Sequence, residues 1–179
     1  MNIVPGTVAH LDAVLTIVQQ TVAEMKTYGN NQWDETYPLR DRFVQDVTNQ
    51  ALYVAQSSHP PTNPPDLMGF IVIDTEEPEG YDAMNWRSVG LPGHSPYRPC
   101  LVIHRLAVST HHRNQGVATA MEAFACQLAH TQNITYLKVD THSTNQRMQQ
   151  FLERKGYIKT GTMIANGKDK PFYCYDKFL

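Results

Sequence analysis

The chain has 179 residues, of which 41% are hydrophobic and 18% are charged, and its formal net charge is −2. This length fits a single domain spanning residues 1–179, and the near balance of interspersed charges argues against nucleic acid as a partner. The sequence has neither a basic start followed by an apolar run nor the roughly 20 consecutive apolar residues of a membrane span. We therefore expect a soluble, cytoplasmic protein that has no membrane partner.

The first part of the chain predicts a short strand, two helices and a loop between them. Asn2–Val4 is expected to form the strand. Thr7 then precedes apolar residues at helical spacing, which predicts an amphipathic helix that ends near Tyr28–Asn30. Asn31–Arg40 is expected to be a loop that carries aromatic surface, and Asp41–Thr48 a second helix.

Two strands and two long irregular segments follow. Ala51–Gln56 and Leu67–Asp74 predict an antiparallel pair, although the connection Ser57–Asp66 holds four prolines and is unusually long. Glu76–Pro99 is a second long segment, which is either a lid or acceptor site or a mobile surface loop. Aromatic residues in the irregular segments either pack in a satellite core or face a cleft; they are Trp33, Tyr37, Tyr81 and Trp86.

The segment Leu101–Leu128 predicts a strand, a polar turn and an amphipathic helix in direct succession. In the turn, Gly116 allows the backbone to approach a ligand without a Cβ atom in the way. The amide groups that open the helix have no intrahelical acceptors, so such a helix start attracts phosphate. The turn contains neither a nucleoside-triphosphate loop nor a dinucleotide fingerprint.

The last part of the chain predicts a strand, a helix and two more strands. Thr135–Asp140 is expected to pair in parallel with the strand at Leu101 through a right-handed crossover. Asn145–Lys155 is expected to be a helix. Strands near Tyr157–Ile164 and Phe172–Phe178 flank an Asn-Gly hairpin signal at residues 166 and 167. The three cysteines are odd in number and widely spaced, which predicts reduced, mostly buried thiols.

Two motifs and the order of the elements resemble the GNAT superfamily of N-acetyltransferases. Leu106-Ala107-Val108 followed by Arg113-x-x-Gly116-x-Ala118 resembles the family's pyrophosphate-binding turn. Asn145 at the head of the last helix, with Gly156-Tyr157 after it, resembles a second signature, in which Met148 replaces the usual Ala. The predicted order of strands and helices is also the family's order, so the resemblance covers nearly the whole chain.

The resemblance implies a single-domain α/β GNAT-like fold and acetyl-CoA as co-substrate. The fold would be a mixed, mostly antiparallel, twisted sheet with a splayed parallel pair at its centre, flanked by about four helices. The coenzyme's pantetheine arm would pair with the central strand, and turn amides would cradle its pyrophosphate. By this resemblance the coenzyme-binding residues are Leu106, Ala107, Val108, Arg113, Asn114, Gln115, Gly116, Val117, Ala118, Asn145 and Phe151.

Acetyl transfer to an amine requires a base, because an alkyl amine with a pKa of about 10.4 is neutral in only about one molecule in 2,500 at pH 7. His104 on the central strand is the first candidate, and His142 at the end of the neighbouring strand is the second. The competing interpretations are a structural residue on the sheet for His104 and an ordinary loop-turn residue for His142. No recognised metal-ligand spacing is present, so no metal is expected.

One departure from the family pattern concerns the general acid. Many members have a Tyr seven residues after the signature Asn, whereas this chain has Leu152. Tyr157 is either a substitute or a packed strand residue, and Cys100 is either a rival nucleophile or a buried thiol. We expect direct transfer in a ternary complex to a primary amine of a small molecule or peptide. A non-catalytic acyl-CoA-binding or sensing module is the alternative, and homodimerisation stays open.

Overall fold

The computed structural model describes residues 1–57, 66–87, 99–164 and 167–179. Its four α-helices and seven strands within these ranges follow one another in the order that the sequence predicts. The helices are α1 (Leu11–Thr27), α2 (Arg40–Thr48), α3 (Val117–Thr131) and α4 (Gln146–Arg154). The strands are β1 (Asn2–Pro5), β2 (Leu52–Gln56), β3 (Leu67–Asp74), β4 (Leu101–Val108), β5 (Tyr136–His142), β6 (Ile158–Met163) and β7 (Phe172–Phe178).

The strands form one mixed sheet in the order β1-β2-β3-β4-β5-β7-β6. β4 and β5 run parallel, with Leu101–Ile103 opposite Leu137–Val139. The pairs β1-β2, β2-β3, β5-β7 and β6-β7 are antiparallel. The predicted α/β class, the parallel pair on either side of α3 and the mostly antiparallel sheet are therefore confirmed.

The chain divides into two compact units. The first unit contains residues 1–73 and 104–125. Its core joins the apolar stripe of α1 to the inner faces of β2 and β3, with Phe43 of α2 edge-on to Phe70 at 5.3 Å between ring centroids. On α3, Phe124 packs against Tyr53 of β2 with the ring centroids 4.8 Å apart. Burial of these apolar faces is the main stabilising contribution to the unit.

The second unit contains residues 74–103 and 126–179. Its segment 74–87 includes a short 3-10 turn, and Tyr81 and Trp86 pack there with Cys100, Val102 and Tyr136. Tyr81 donates a hydrogen bond to Asp140 Oδ2 at 2.7 Å, which fastens the segment to β5. Tyr81 and Trp86 are therefore core residues within the described part of Glu76–Pro99, whereas Glu76, Glu77 and Asp82 are exposed. Residues 88–98 lie outside the described residues.

The aromatic residues of the irregular segments are mostly core residues. Trp33, Tyr81 and Trp86 are at most 4% exposed, and Trp33 stacks on Phe70. Tyr37, which precedes Pro38 across a cis peptide bond, is 40% exposed. The satellite-core interpretation is thus correct for three of the four aromatic residues.

Most predicted boundaries agree with the structure to within one or two residues, and β5 differs in a way that matters. It continues through Thr141 to His142, so the interpretation of His142 as a loop-turn residue was wrong. Antiparallel pairing with β7, which places His142 opposite Phe172, carries the strand two residues past Asp140. Most of the proline-rich connection (58–65) and Asn166 of the predicted hairpin lie outside the described residues.

None of the helices in the described part of the chain combines the length and apolar composition needed to cross a membrane.

Candidate active site

In the first unit, the second half of β4 alternates between two environments. Arg105 and Ala107 are buried, whereas His104, Leu106 and Val108 are half-buried. This alternation follows from the two-residue period of a strand, which sends successive side chains to opposite faces. His104 therefore shares a face with Leu106 and Val108.

The neighbouring strand β3 approaches this part of β4 closely. A Cβ atom added to Gly69 would lie 2.7 Å from the carbonyl oxygen of Ala107. Such a contact is too short for real atoms, so only glycine fits at this position. The backbone of residues 106–108, which the resemblance assigns to the pantetheine arm, is thus fixed from the β3 side.

The β4–α3 turn, residues 109–116, has the geometry of an anion-binding loop. Asn114 and Gly116 both have left-handed backbones, with φ of 59° and 78°. The first helical hydrogen bond runs from Ala120 N to Gly116 O at 2.9 Å, so the preceding amides of α3 have no intrahelical acceptor. A Cβ atom at Gly116 would meet nothing within 4 Å. These amides and the open space above Gly116 fit a diphosphate group.

Several contacts within the first unit hold this turn in place. Gln20 Oε1 of α1 accepts a hydrogen bond from Thr110 N at 3.1 Å. Glu24, also on α1, accepts one from Arg113 Nη1 at 2.6 Å and pairs with Nη2 as well. His112 Nε2 lies 2.9 Å from Asp66 Oδ2. The turn is therefore tied to α1 and to the start of β3.

A buried ionic cluster lies beside His104 in sequence. Arg105 Nη2 donates to both oxygens of Asp46 on α2, at 2.6 and 2.7 Å, and Nη1 donates to the Tyr37 hydroxyl at 2.8 Å. The Arg105 and Asp46 side chains are only 1% and 2% exposed. The guanidinium also lies 5.7 Å from the centre of the Phe43 ring. This cluster fixes the α1–α2 loop to β4.

In the second unit, the imidazole of His142 is enclosed at the end of β5. The residue is 0% exposed, and its Nδ1 lies 2.7 Å from Thr144 Oγ1. Its ring meets Phe172 edge-on with the centroids 5.2 Å apart. Burial lowers the pKa of His142 below its ordinary value of 6.5, so the neutral imidazole predominates at pH 7.

The start of α4 follows within three residues of His142. Asn145 N donates to His142 O at 2.9 Å, and the Asn145 side chain caps α4 by accepting from Met148 N at 3.2 Å. Phe151 is half-buried, and Leu152, at the position of the family Tyr, is 2% exposed. His142 and Asn145 are thus joined through the β5–α4 connection, and Phe151 lies farther along α4.

Tyr157 and Cys100 are the two other residues for which the sequence allows a chemical role, and both are buried. Tyr157 is 2% exposed, as expected of a packed residue. Burial raises the pKa of Cys100 to about 12, and its thiol donates to Glu77 Oε1 at 3.2 Å. The Cys100 thiol is therefore held in its protonated form at neutral pH.

Within the ranges that the structure describes, no group of three His, Cys, Asp or Glu residues is close enough to hold a metal ion.

Comparison with known proteins adds independent information about this arrangement. The profile described as Acetyltransferase (GNAT) family matches residues 24–157. The chain belongs to this family. No curated protein sequence matches it significantly.

Solved structures of acetyltransferases share this GNAT fold over nearly their whole length. A putative acetyltransferase from Staphylococcus aureus Mu50 is 25% identical with a TM-score of 0.72, and 99% of each chain is covered. A GNAT family acetyltransferase from Streptococcus agalactiae 2603 is 24% identical with a TM-score of 0.77, covering 99% of this chain and 95% of the other. The NatC complex bound to Gag peptide and CoA contains a chain that is 18% identical, with a TM-score of 0.64, covering 100% and 99%.

Family membership establishes acetyl transfer as the general activity of this GNAT protein and acetyl-CoA as its co-substrate. The sequence analysis missed Gln20, Glu24 and the Arg105–Asp46 pair. Their partners are 59 to 90 positions away along the chain, so no local pattern indicated them.

Proposed function

We propose that this GNAT protein transfers the acetyl group of acetyl-CoA to a primary amine of a small molecule or peptide, directly and within a ternary complex. The observation that carries the proposal is the β4–α3 turn, in which two left-handed residues precede a 15-residue helix. Such a turn directs several unpaired amides toward one anion and adds the positive end of the helix dipole. It suits the diphosphate of the coenzyme.

In this proposal the donor is held mainly by backbone groups. Residues 113–118 bind the diphosphate through their amides, and the backbone of Leu106–Val108 pairs with the pantetheine arm. Ala107 is buried and Gly69 packs against its carbonyl oxygen, so this strand segment is preorganised. Asn145 and Phe151 stay predictions from the resemblance. Preorganised strand amides would also stabilise the negative charge that develops on the thioester oxygen.

We assign the general base to His104. It is half-buried and on the same strand as Leu106, so its imidazole keeps access to solvent and to a water relay. His142 is 0% exposed and engaged with Thr144, which favours a positioning role at the start of α4. Histidine is the side chain that most often serves as a general base.

The absence of the family Tyr does not prevent acetyl transfer. The leaving group is a thiol whose pKa resembles the 8.5 or so of a cysteine, so it departs as a thiolate with little assistance from an acid. Leu152 is buried and supplies no proton. Protonation of the departed thiolate by water is therefore sufficient in this proposal.

A covalent acetyl-cysteine intermediate is disfavoured by the surroundings of Cys100. With a pKa of about 12, its thiolate would amount to roughly one molecule in 100,000 at pH 7. Serine at this position should preserve turnover. A Cys100→Ser variant that loses transfer while remaining folded would favour the covalent route.

The main experiment measures release of free coenzyme A from acetyl-CoA in the presence of a panel of amines, amino acids and peptides. We expect acceptor-dependent thiol release and an acetylated amine identified by mass spectrometry. The absence of a Tyr at position 152 keeps the sensing module as the alternative function. Tight binding of acetyl-CoA without thiol release across the whole panel would favour the sensor.

The base assignment is tested by replacing each histidine with Gln and measuring transfer between pH 6 and 9. Loss of a general base lowers kcat by about 10²–10⁴-fold, so we expect a loss of that order for His104→Gln. His142→Gln should retain most of its kcat. A double variant with full activity would remove both histidines from the mechanism.

A further inference from the structure

Helix α1 contacts the β4–α3 turn through two polar residues that lie one helical turn apart. Gln20 Oε1 accepts a hydrogen bond from the backbone N of Thr110 at 3.1 Å. Glu24 pairs with Arg113, with Oε1 2.6 Å from Nη1 and Oε2 paired with Nη2. A spacing of four residues places Gln20 and Glu24 on the same face of the helix.

The contact with Glu24 satisfies both terminal nitrogens of Arg113. Side-by-side contacts of this kind between a guanidinium and a carboxylate are the strongest and most directional of the charged hydrogen bonds. The two side chains are 28% and 27% exposed, so water screens the pair only in part. The charge of Arg113 is therefore largely compensated, and its guanidinium is directed to α1.

The rest of the turn is fixed from the β3 side. Ser109 N donates to Met68 O at 2.9 Å, and His112 lies against Asp66. Together with the α1 contacts, these bonds hold residues 109–113 immediately before the left-handed Asn114 and Gly116. A loop that is ordered before binding does not lose conformational freedom when the ligand arrives, which increases affinity.

We propose that Gln20 and Glu24 are positioning residues for the coenzyme, and that the Arg113 guanidinium joins α1 to the turn instead of contacting the phosphates. The proposal rests on the proposed function, because it takes the turn to be the diphosphate site. It assigns phosphate binding to the backbone amides of residues 113–118 and not to the Arg113 side chain. Glu24 therefore strengthens the binding of an anion, although its own charge is negative.

The experiment is a calorimetric titration with coenzyme A and, as the comparison ligand, pantetheine, which has the arm and the thiol but no diphosphate. The variants are Glu24→Gln, Arg113→Gln, the double Gln variant and the charge exchange E24R/R113E. Each single variant should weaken coenzyme A binding about fivefold, as expected for loss of a contact worth about 1 kcal/mol, and leave pantetheine binding unchanged.

Two further results show whether the Arg113 side chain connects α1 to the turn or binds phosphate. The double Gln variant should bind coenzyme A as well as either single variant, because both substitutions break the same contact. The charge exchange should restore most of the lost affinity, since it forms an ion pair at the same place with the two charges exchanged. Thermal unfolding of every variant shows whether the fold is retained.

Asp12→Asn is the matched control, because Asp12 also forms an ion pair from α1, with Arg40, at a site away from the turn. Its affinity for coenzyme A should equal that of the wild type. If Glu24→Gln binds coenzyme A as tightly as the wild type or more tightly, or if the charge exchange restores nothing, the positioning role is overturned and the proposed function stands. A folded wild type that binds no coenzyme A would overturn both.

Discussion

Each unit buries one strand cation against a carboxylate from outside the sheet, and the two pairs differ in their access to water. Arg105 of β4 meets Asp46 in the first unit, and both side chains are at most 2% exposed. Lys138 of β5 meets Glu77 at 2.6 Å in the second unit, where Lys138 is 6% exposed but Glu77 is 38% exposed. We call the Arg105–Asp46 pair sealed, because water reaches neither side chain. We call the Lys138–Glu77 pair open, because the Glu77 side chain is accessible to solvent.

The difference determines what happens when the carboxylate is lost. Without Asp46, the guanidinium of Arg105 would remain buried with the Tyr37 hydroxyl as a neutral partner. Without Glu77, water could reach Lys138 Nζ, which also lies 4.6 Å from the centre of the Trp86 ring. A buried charge that loses its partner is costly, whereas a charge that water can reach is not.

The largest effect is expected at the sealed pair. Asp46→Ala should lower the free energy of unfolding by about 3–5 kcal/mol, because it leaves an uncompensated buried charge. Urea unfolding measures this change. Asp41→Asn, an exposed position on the same helix, is the control and should change stability by less than about 0.5 kcal/mol. A loss below about 1 kcal/mol for Asp46→Ala would contradict the difference between the two pairs.

A smaller effect is expected at the open pair. Glu77→Gln should cost about 1–2 kcal/mol, since solvent and the Trp86 ring retain part of the stabilisation of Lys138. The pKa of Cys100 should fall in this variant, because the Glu77 carboxylate contributes to raising it. Urea unfolding and the pH dependence of thiol alkylation measure the two changes. The exposed Glu76→Gln is the control, and a stability loss as large as that of Asp46→Ala would argue against solvent access.

A pH-dependent effect is expected at His142. Its pKa in the folded protein is lowered by burial and by Lys168 and Lys170, against an opposing effect of Asp169, so the unfolded chain takes up the proton more readily. This contribution to stability is fully present above pH 6.5 and is lost as the pH falls through the lower folded pKa. His142→Gln should weaken the decrease in stability below that pH. The exposed His130→Gln should leave the decrease unchanged.

The smallest effect concerns the three thiols. Burial raises the pKa of both Cys100 and Cys174 to about 12, whereas Cys126 is half-buried and lies 3.5 Å from Lys177 Nζ. A thiol reagent at pH 8 should therefore modify Cys126 first, with little change in stability. Cys126→Ser should abolish the rapid phase. Rapid modification of the other two thiols in the folded protein would show that the second unit opens readily.

The sequence predicted those parts of the molecule that depend on neighbouring residues. The apolar stripe of α1 and the limits of β3 and β7 follow from local periodicity, and the structure agrees with them. The three cysteines form no disulfide with one another, and two of them are buried, in agreement with the predicted mostly buried thiols. The backbone of the β4–α3 turn belongs to this class, because a strand, a glycine and a helix start form it within a few residues.

The parts that escaped prediction depend on contacts between distant segments. Strand β5 continues to His142 because β7 pairs with it, and the residues around Thr141 do not indicate this pairing. Glu24 meets Arg113 across 89 positions, and Arg105 meets Asp46 across 59. The roles of His104 and His142 remain predictions. The chemistry of a histidine depends on its burial, which distant segments of the chain determine.

The central claim, that the β4–α3 turn binds the diphosphate of acetyl-CoA, is tested most directly by calorimetric titration of acetyl-CoA into the wild type, Gly116→Ala and Gly29→Ala. Both glycines have a left-handed φ, 78° and 67°, and a Cβ atom at either position meets nothing within 4 Å. Both substitutions therefore place an alanine in the left-handed region, and only the one at Gly116 lies in the turn. We predict binding by the wild type and by Gly29→Ala and a loss of about tenfold or more for Gly116→Ala, whose methyl group occupies the space of the ligand. Equal affinities for all three proteins, or no heat of binding for the folded wild type, would contradict the claim.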